Sequence, residues 1–170
     1  MNTIRQRYSL IINLQFGSKI VEKINFEHSP STYHKGQARE MMGDEVFIAR
    51  MAAELQLMTD LCYGLARDAG WWTNLSTGEP LERNKGEMIA LIHSEVSEAL
   101  EGARKDIMDD HLTHRKMEEV ELADTIIRIL DYAGGFGLDV AGAVFEKLIY
   151  NTNRADHKIE NRQKKGGKKI

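Results

Sequence analysis

The amino-acid sequence predicts an all-α protein: a bundle of about four core helices behind an irregular N-terminal extension. Three observations carry this expectation. Apolar residues recur at steps of three and four in four separate segments after residue 44, the period of one buried helix face. Each segment is bounded by a capping residue or by glycine and proline. No alternating strand pattern follows residue 40.

The N-terminal forty residues read differently. "YSLIINLQF" and "SKIVEKINF" are strand-like or weakly helical, and "EHSPSTYHKGQ" is a polar linker with Pro30 and Gly36. They are expected to form an extension, residues 1–40, that contains a short hairpin. The first long helix starts at Asp44 and ends at Gly70, burying Phe47, Met51, Leu55, Met58, Cys62, Leu65 and Ala69. A turn region, "WWTNLSTGEPLERN", follows, and Asn84 with Glu87 caps a second helix. Its apolar positions are Ile89, Ile92, Val96, Ala99 and Ala103. A third helix is expected over residues 111–133, with Met117, Val120, Ala123, Ile127 and Leu130 inward and "GGFG" at 134–137 as its stop. Asp139 caps a fourth, carrying Val140, Val144 and Leu148. The main domain therefore spans 41–158, and residues 159–170, basic and split by glycines, form a mobile tail.

Composition narrows the function classes. At 170 residues, with 42% hydrophobic and 29% charged residues, the chain has enough apolar material for a single packed core. A net charge of −3 offers no basic excess for a nucleic-acid backbone, so no nucleic acid is expected as partner. Cys62 is the only cysteine, which excludes an internal disulfide and fits a reducing compartment. Arg5 and Arg7 precede a short apolar run, but Asn13 and Gln15 interrupt it and no small-residue cleavage site follows. No stretch is apolar for long enough to span a bilayer. A cytoplasmic protein without membrane contact is expected.

Two short stretches carry chemistry. "EVSE" places Glu95 and Glu98 three apart, and "ELAD" repeats the spacing with Glu121 and Asp124. Residues three apart share a helix face. The connection falls near residues 105–110, so Glu98 and Glu121 are almost equidistant from it. An antiparallel return then brings the two pairs level. Full charges 4 Å apart repel by about 4 kcal/mol at an effective dielectric near 20, so four carboxylates in one volume call for a cation. Hard oxygen ligands suit Mg²⁺ or Mn²⁺, and such ions serve phosphate chemistry by neutralising charge and activating water. Either pair alone would be explained by a solvated helix face. A ferritin-like di-iron site needs Glu-x-x-His, and no Glu here has His three positions later.

Lys147, Asn151 and Arg154 fall at i, i+4 and i+7 on the fourth helix. Cations and an amide on one face suit phosphate and sugar oxygens; a solvated helix end, favoured by the helix dipole, is the plainer reading. Trp71 and Trp72 offer a stacking wall or, more ordinarily, packing anchors. His111 and His114 are read as a solvated helix start.

Together these residues resemble the MazG-like, all-α nucleoside triphosphate pyrophosphohydrolases, whose signature is Glu-x-x-Glu on one helix and Glu-x-x-Asp on the next. The likeness runs over residues 84–158, through "LIHSEVSEALEGARK", "EEVELADTIIRILDYAGGFGLDV" and "KLIYNTNR". It implies that Glu95, Glu98, Glu121 and Asp124 bind Mg²⁺, with Mn²⁺ as the substitute, and that Glu98 activates the attacking water. It also implies that Lys147, Asn151 and Arg154 hold the substrate, that Glu118 supports the metal's surroundings or is plain surface, and that the chain self-associates as a dimer or tetramer. The expected reaction converts a (d)NTP, by analogy dGTP or GTP, to the monophosphate and pyrophosphate. The alternatives are a dUTP/dCTP pyrophosphatase and a catalytically idle helical binding module.

Overall fold

A computed structural model describes residues 15–16, 19–20 and 36–167. The chain divides into two compact units, Met1–Glu40 and Met41–Ile170. In the first, strands β1 (Gln15–Phe16) and β2 (Lys19–Ile20) pair antiparallel, Gln15 opposite Ile20. The rest of the expected extension up to residue 35 lies outside the described residues. Helix α1 (Gln37–Met41) spans the boundary.

The second unit is helical throughout its regular elements. Helix α2 (Glu45–Asp68) starts at Asp44, whose Oδ1 accepts from Val46 N at 2.9 Å and Phe47 N at 3.0 Å. Helix α3 (Lys85–Lys105) starts at Asn84, which accepts from Glu87 N at 3.1 Å. Helix α4 (Met117–Gly135) and helix α5 (Val140–Asn153) follow, and Asp139 caps α5 through Gly142 N at 2.7 Å. In each case a short side-chain oxygen satisfies a backbone N–H that the first helical turn leaves without a partner. α3 packs on α4, α4 on α2, and α2 on α5. Among the described residues no helix is long and apolar enough to cross a membrane.

Three expectations need correction. First, the buried faces match the apolar stripes read from the sequence only in part: Cys62, Ala99 and Leu130 are buried as expected, and other positions differ. On α2 the core takes Thr59 and Cys62, while Met58, Leu65 and Ala69 face outward. On α3 it takes Met88, Glu95, Ala99 and Gly102, leaving Ile89, Val96 and Ala103 exposed. On α4 it takes Glu121, Thr125, Leu130 and Ala133, leaving Ala123 and Ile127 exposed. On α5 Ala141 is buried, whereas Val144 and Leu148 are exposed. These helices carry apolar residues on two adjoining stripes, so periodicity alone could not choose between them. The threonines are tolerated inside because each hydroxyl bonds its own helix, Thr59 to Leu55 O and Thr125 to Glu121 O.

Second, α4 begins at Met117 rather than 111. Residues 107–116 form a loop. Asp109 is buried there, and its Oδ1 accepts from His111 N and Leu112 N. This local bonding competes with helix formation. Those backbone bonds also hold the Asp109 carboxyl below its usual range, the Leu112 N–H chief among them. His111 and His114 are exposed loop residues, not a helix start. Third, the basic end is not wholly irregular: a 3₁₀ turn (Ala155–His157) leads into helix α6 (Ile159–Arg162), tied by Asn161 Nδ2 to Ala155 O at 2.8 Å.

The two tryptophans differ in their surroundings. Trp72 stands edge-on to Tyr63 and Phe136, centroids 5.4 and 5.5 Å away, and donates from Nε1 to Asp131 at 2.8 Å. It is a packing anchor. Gly135 makes room for it, since a Cβ there would overlap the Trp72 ring, and Gly134 makes room for Tyr63, whose Cβ would lie 2.5 Å from an added one. Trp71 is 65% exposed.

Candidate metal centre

The hairpin of α3 and α4 runs antiparallel, because Glu95 meets Arg128 at one level and Gly102 meets Met117 nearer the turn. Asp106 turns the chain in the left-handed region, at φ 51°, where it ends α3. The two carboxylate pairs are therefore carried towards each other from opposite strands of one hairpin.

Glu95, Glu98 and Glu121 each offer a carboxylate oxygen, and these atoms lie within 4.8 Å of one another. Glu95 and Glu121 are buried at 7% and 8% exposure, while Glu98 is exposed. Two full charges at 4.8 Å repel by about 3.5 kcal/mol at an effective dielectric near 20. The protein relieves part of this in two ways. Arg128 on α4 donates from Nε to Glu95 Oε1 at 2.6 Å. Burial first, then a hydrogen bond to Glu95 and the charges of Glu98, Glu95 and Asp124, push Glu121 up to about 7 from 4.5. Near neutral pH the Glu121 carboxyl is therefore partly protonated. Asp124 is half-buried and lies outside the tight group of three. Burial, then the charge of Glu95, also raises its carboxyl, with Arg128 opposing.

Three hard oxygen donors from two helices form a set that can hold a divalent cation. Oxygen donors of this kind suit hard divalent cations and are poor for metals that prefer sulfur or imidazole.

The proton on Glu121 has a consequence for stability. The folded state holds this proton more tightly than the unfolded chain does, so the contribution is present in full below about pH 4.5 and lost as pH rises through about 7. In chelator, the melting temperature of the wild type relative to Glu121→Gln should therefore fall between these limits. Differential scanning fluorimetry across the range checks it; a constant difference would mean that Glu121 titrates as an ordinary surface glutamate.

A cleft of about 430 Å³ opens between α2, α3 and α4, with Cys62, Trp71, Arg83, Met88, Asp124 and Arg128 in its wall. Asp124 and Arg128 join it to the carboxylates. Arg128 was not among the residues singled out from the sequence. The signal was present, since it follows Glu121 by seven and Asp124 by four and so shares their face.

The α5 stripe stands apart. α5 packs on α2, and no bond among the described residues joins Lys147, Asn151 or Arg154 to the carboxylates. Arg154 grips Asp156 with two bonds, Nε to Oδ1 at 2.9 Å and Nη2 to Oδ2 at 2.6 Å. Lys147 Nζ sits 4.6 Å from the centre of the Tyr150 ring. Asn151 Oδ1 is buried without a hydrogen-bond partner. Glu118, one turn before Glu121, is exposed.

No family model, curated protein or solved structure matches the chain.

Proposed function

We propose that the protein is a metal-dependent nucleoside triphosphate pyrophosphohydrolase of the MazG-like kind. The observation that carries this reading is the meeting of Glu95, Glu98 and Glu121, with oxygens within 4.8 Å, on two helices that pack against each other. Burying Glu95 and Glu121 side by side destabilises the protein unless cations balance them, and Arg128 pairs with Glu95 alone.

Glu95, Glu98 and Glu121 would hold Mg²⁺ or Mn²⁺, with Asp124 beside them in the cleft wall. Such an ion supplies neutralisation of the phosphate oxygens and a water of lowered pKa. Glu98, the exposed member, faces solvent and would orient a water and take its proton. The water oxygen bonds to the α-phosphorus, the bond from that phosphorus to the bridging oxygen breaks, and pyrophosphate leaves. The products are a nucleoside monophosphate and pyrophosphate. A guanine nucleotide, dGTP or GTP, is our first choice of substrate.

Self-association fits the outer face of α2, where Leu57, Met58, Leu61 and Leu65 are exposed on one side of the helix. Lys147, Asn151 and Arg154 are assigned to substrate phosphate and sugar in that assembly. Cys62 as the one, buried thiol suits a cytoplasmic setting.

Hydrolysis should require Mg²⁺ or Mn²⁺ and cease in excess EDTA, with the fold intact by circular dichroism. A panel of ribo- and deoxynucleoside triphosphates, followed by chromatography of the products, tests both substrate and bond. Undiminished activity in EDTA would sink the assignment, and so would diphosphate with orthophosphate as the main products.

A further inference from the structure

We propose that Arg128 is the phosphate-gripping group of this site, holding Glu95 with one edge of its guanidinium and a substrate phosphate with the other. This rests on the pyrophosphohydrolase reading. Arg128 bonds Glu95 through Nε alone, at 2.6 Å, although a guanidinium has five N–H donors. Among the described residues its Nη groups have no hydrogen-bond partner. Its side chain is 44% exposed and forms part of the cleft wall, so these donors meet open space.

Two acids share that wall, Asp124 and Asp131, and neither takes the guanidinium in a hydrogen bond. Asp131 accepts from Trp72 Nε1 at 2.8 Å. Asp124 sits on the metal side, three residues from Glu121 on the same helix. Arg128 is thus a cation fixed at one end by a buried carboxylate and unfilled at the other, beside a cavity large enough for a nucleotide. A planar fork in this position matches two oxygens of a phosphate, which a single ammonium cannot do. The bond to Glu95 serves a second purpose: it limits the rotamer freedom of Arg128, so less order is lost when phosphate binds.

The test uses the full chain and measures binding rather than turnover. Mn²⁺ is titrated calorimetrically into wild type, Arg128→Gln and Arg128→Lys, and preformed Mn²⁺–tripolyphosphate is then titrated into each. Arg128→Gln should keep its Mn²⁺ affinity, because a competing cation has been removed from the cluster. Its affinity for Mn²⁺–tripolyphosphate should fall about tenfold or more, each tenfold being about 1.4 kcal/mol. Arg128→Lys, which keeps the charge and loses the fork, should recover part of this and remain at least threefold weaker than wild type. Tripolyphosphate binding by Arg128→Gln within twofold of wild type overturns the proposal, as does a wild type that binds no tripolyphosphate. A parallel loss of Mn²⁺ affinity and melting temperature in Arg128→Gln also overturns it, by making the residue structural. Should Arg128→Gln not fold, unchanged binding by Arg128→Lys serves the same end. A wild type that binds no Mn²⁺ removes the metal reading, while the anion comparison still decides the role of Arg128.

Discussion

Glu121→Gln is expected to lower pyrophosphate release by at least two orders of magnitude while raising the melting temperature of the metal-free protein. The two effects have one cause. Glu121 is buried within 4.8 Å of two other carboxylates. Its raised pKa shows that the fold favours its neutral form. Glutamine has the same length and is neutral at every pH, so the folded apo-protein above about pH 7 loses a repulsion and gains stability. Under the proposed function the same change would delete a metal ligand. A metal contributes several kcal/mol to a phosphoryl-transfer transition state, and each 1.36 kcal/mol is about tenfold in rate.

Glu98→Gln separates chemistry from electrostatic relief. Glu98 is exposed, so its stability change should stay within about 0.5 kcal/mol while turnover falls as steeply. Steady-state kinetics with Mg²⁺ and thermal melts in EDTA measure both. Full activity in the two variants would return these carboxylates to the helix surface and leave the idle binding module as the better reading.

The parts of the fold legible in the sequence are those governed by local chemistry. Asn84 and Asp139 cap the helices they were expected to cap, and α2 starts at Asp44 as expected, because a short side-chain oxygen needs only the next three residues to do its work. Helix α4 stops at Gly135 with Gly137 at φ 63°, again a local matter. The meeting of Glu95, Glu98 and Glu121 followed from two spacings and the position of one turn.

Most of what escaped depends on partners distant in sequence. Met88 and Glu95 rather than Ile89 and Val96 face inward because α3 is rotated by its contact with α4, which no period within α3 records. The start of α4 was misplaced because the Asp109 side chain captures His111 N and Leu112 N, and helical periodicity takes no account of a competing turn. Arg128 was not singled out from the sequence at all. Its role depends on Glu95, 33 residues away.

Gly102→Ala should damage the site without touching a ligand. Gly102 is buried on α3, four residues beyond Glu98 and so on the same face. It lies against the start of α4: an added Cβ would stand 2.7 Å from Glu118 N and 3.0 Å from Met117 Cβ. The nearer neighbour is backbone, so relief requires the two helices to separate rather than a side chain to swing aside. Overpacking of this kind costs about 1–3 kcal/mol, offset by roughly 0.5–1 kcal/mol because alanine suits a helix interior better than glycine. The net loss of stability is therefore about 0–2.5 kcal/mol. The geometric effect is larger, since Glu98 lies one turn from the contact on α3 and Glu121 one turn from it on α4. Octahedral Mg²⁺ tolerates little change in ligand spacing. Mn²⁺ affinity measured by calorimetry should fall at least tenfold, and turnover at fixed Mg²⁺ with it, while circular dichroism shows the helices retained. The larger Ca²⁺, which accepts longer and less regular bonds, should lose less affinity than Mn²⁺. Wild-type Mn²⁺ binding by Gly102→Ala would show that the close approach of α3 and α4 at this level does not set the spacing of the carboxylates.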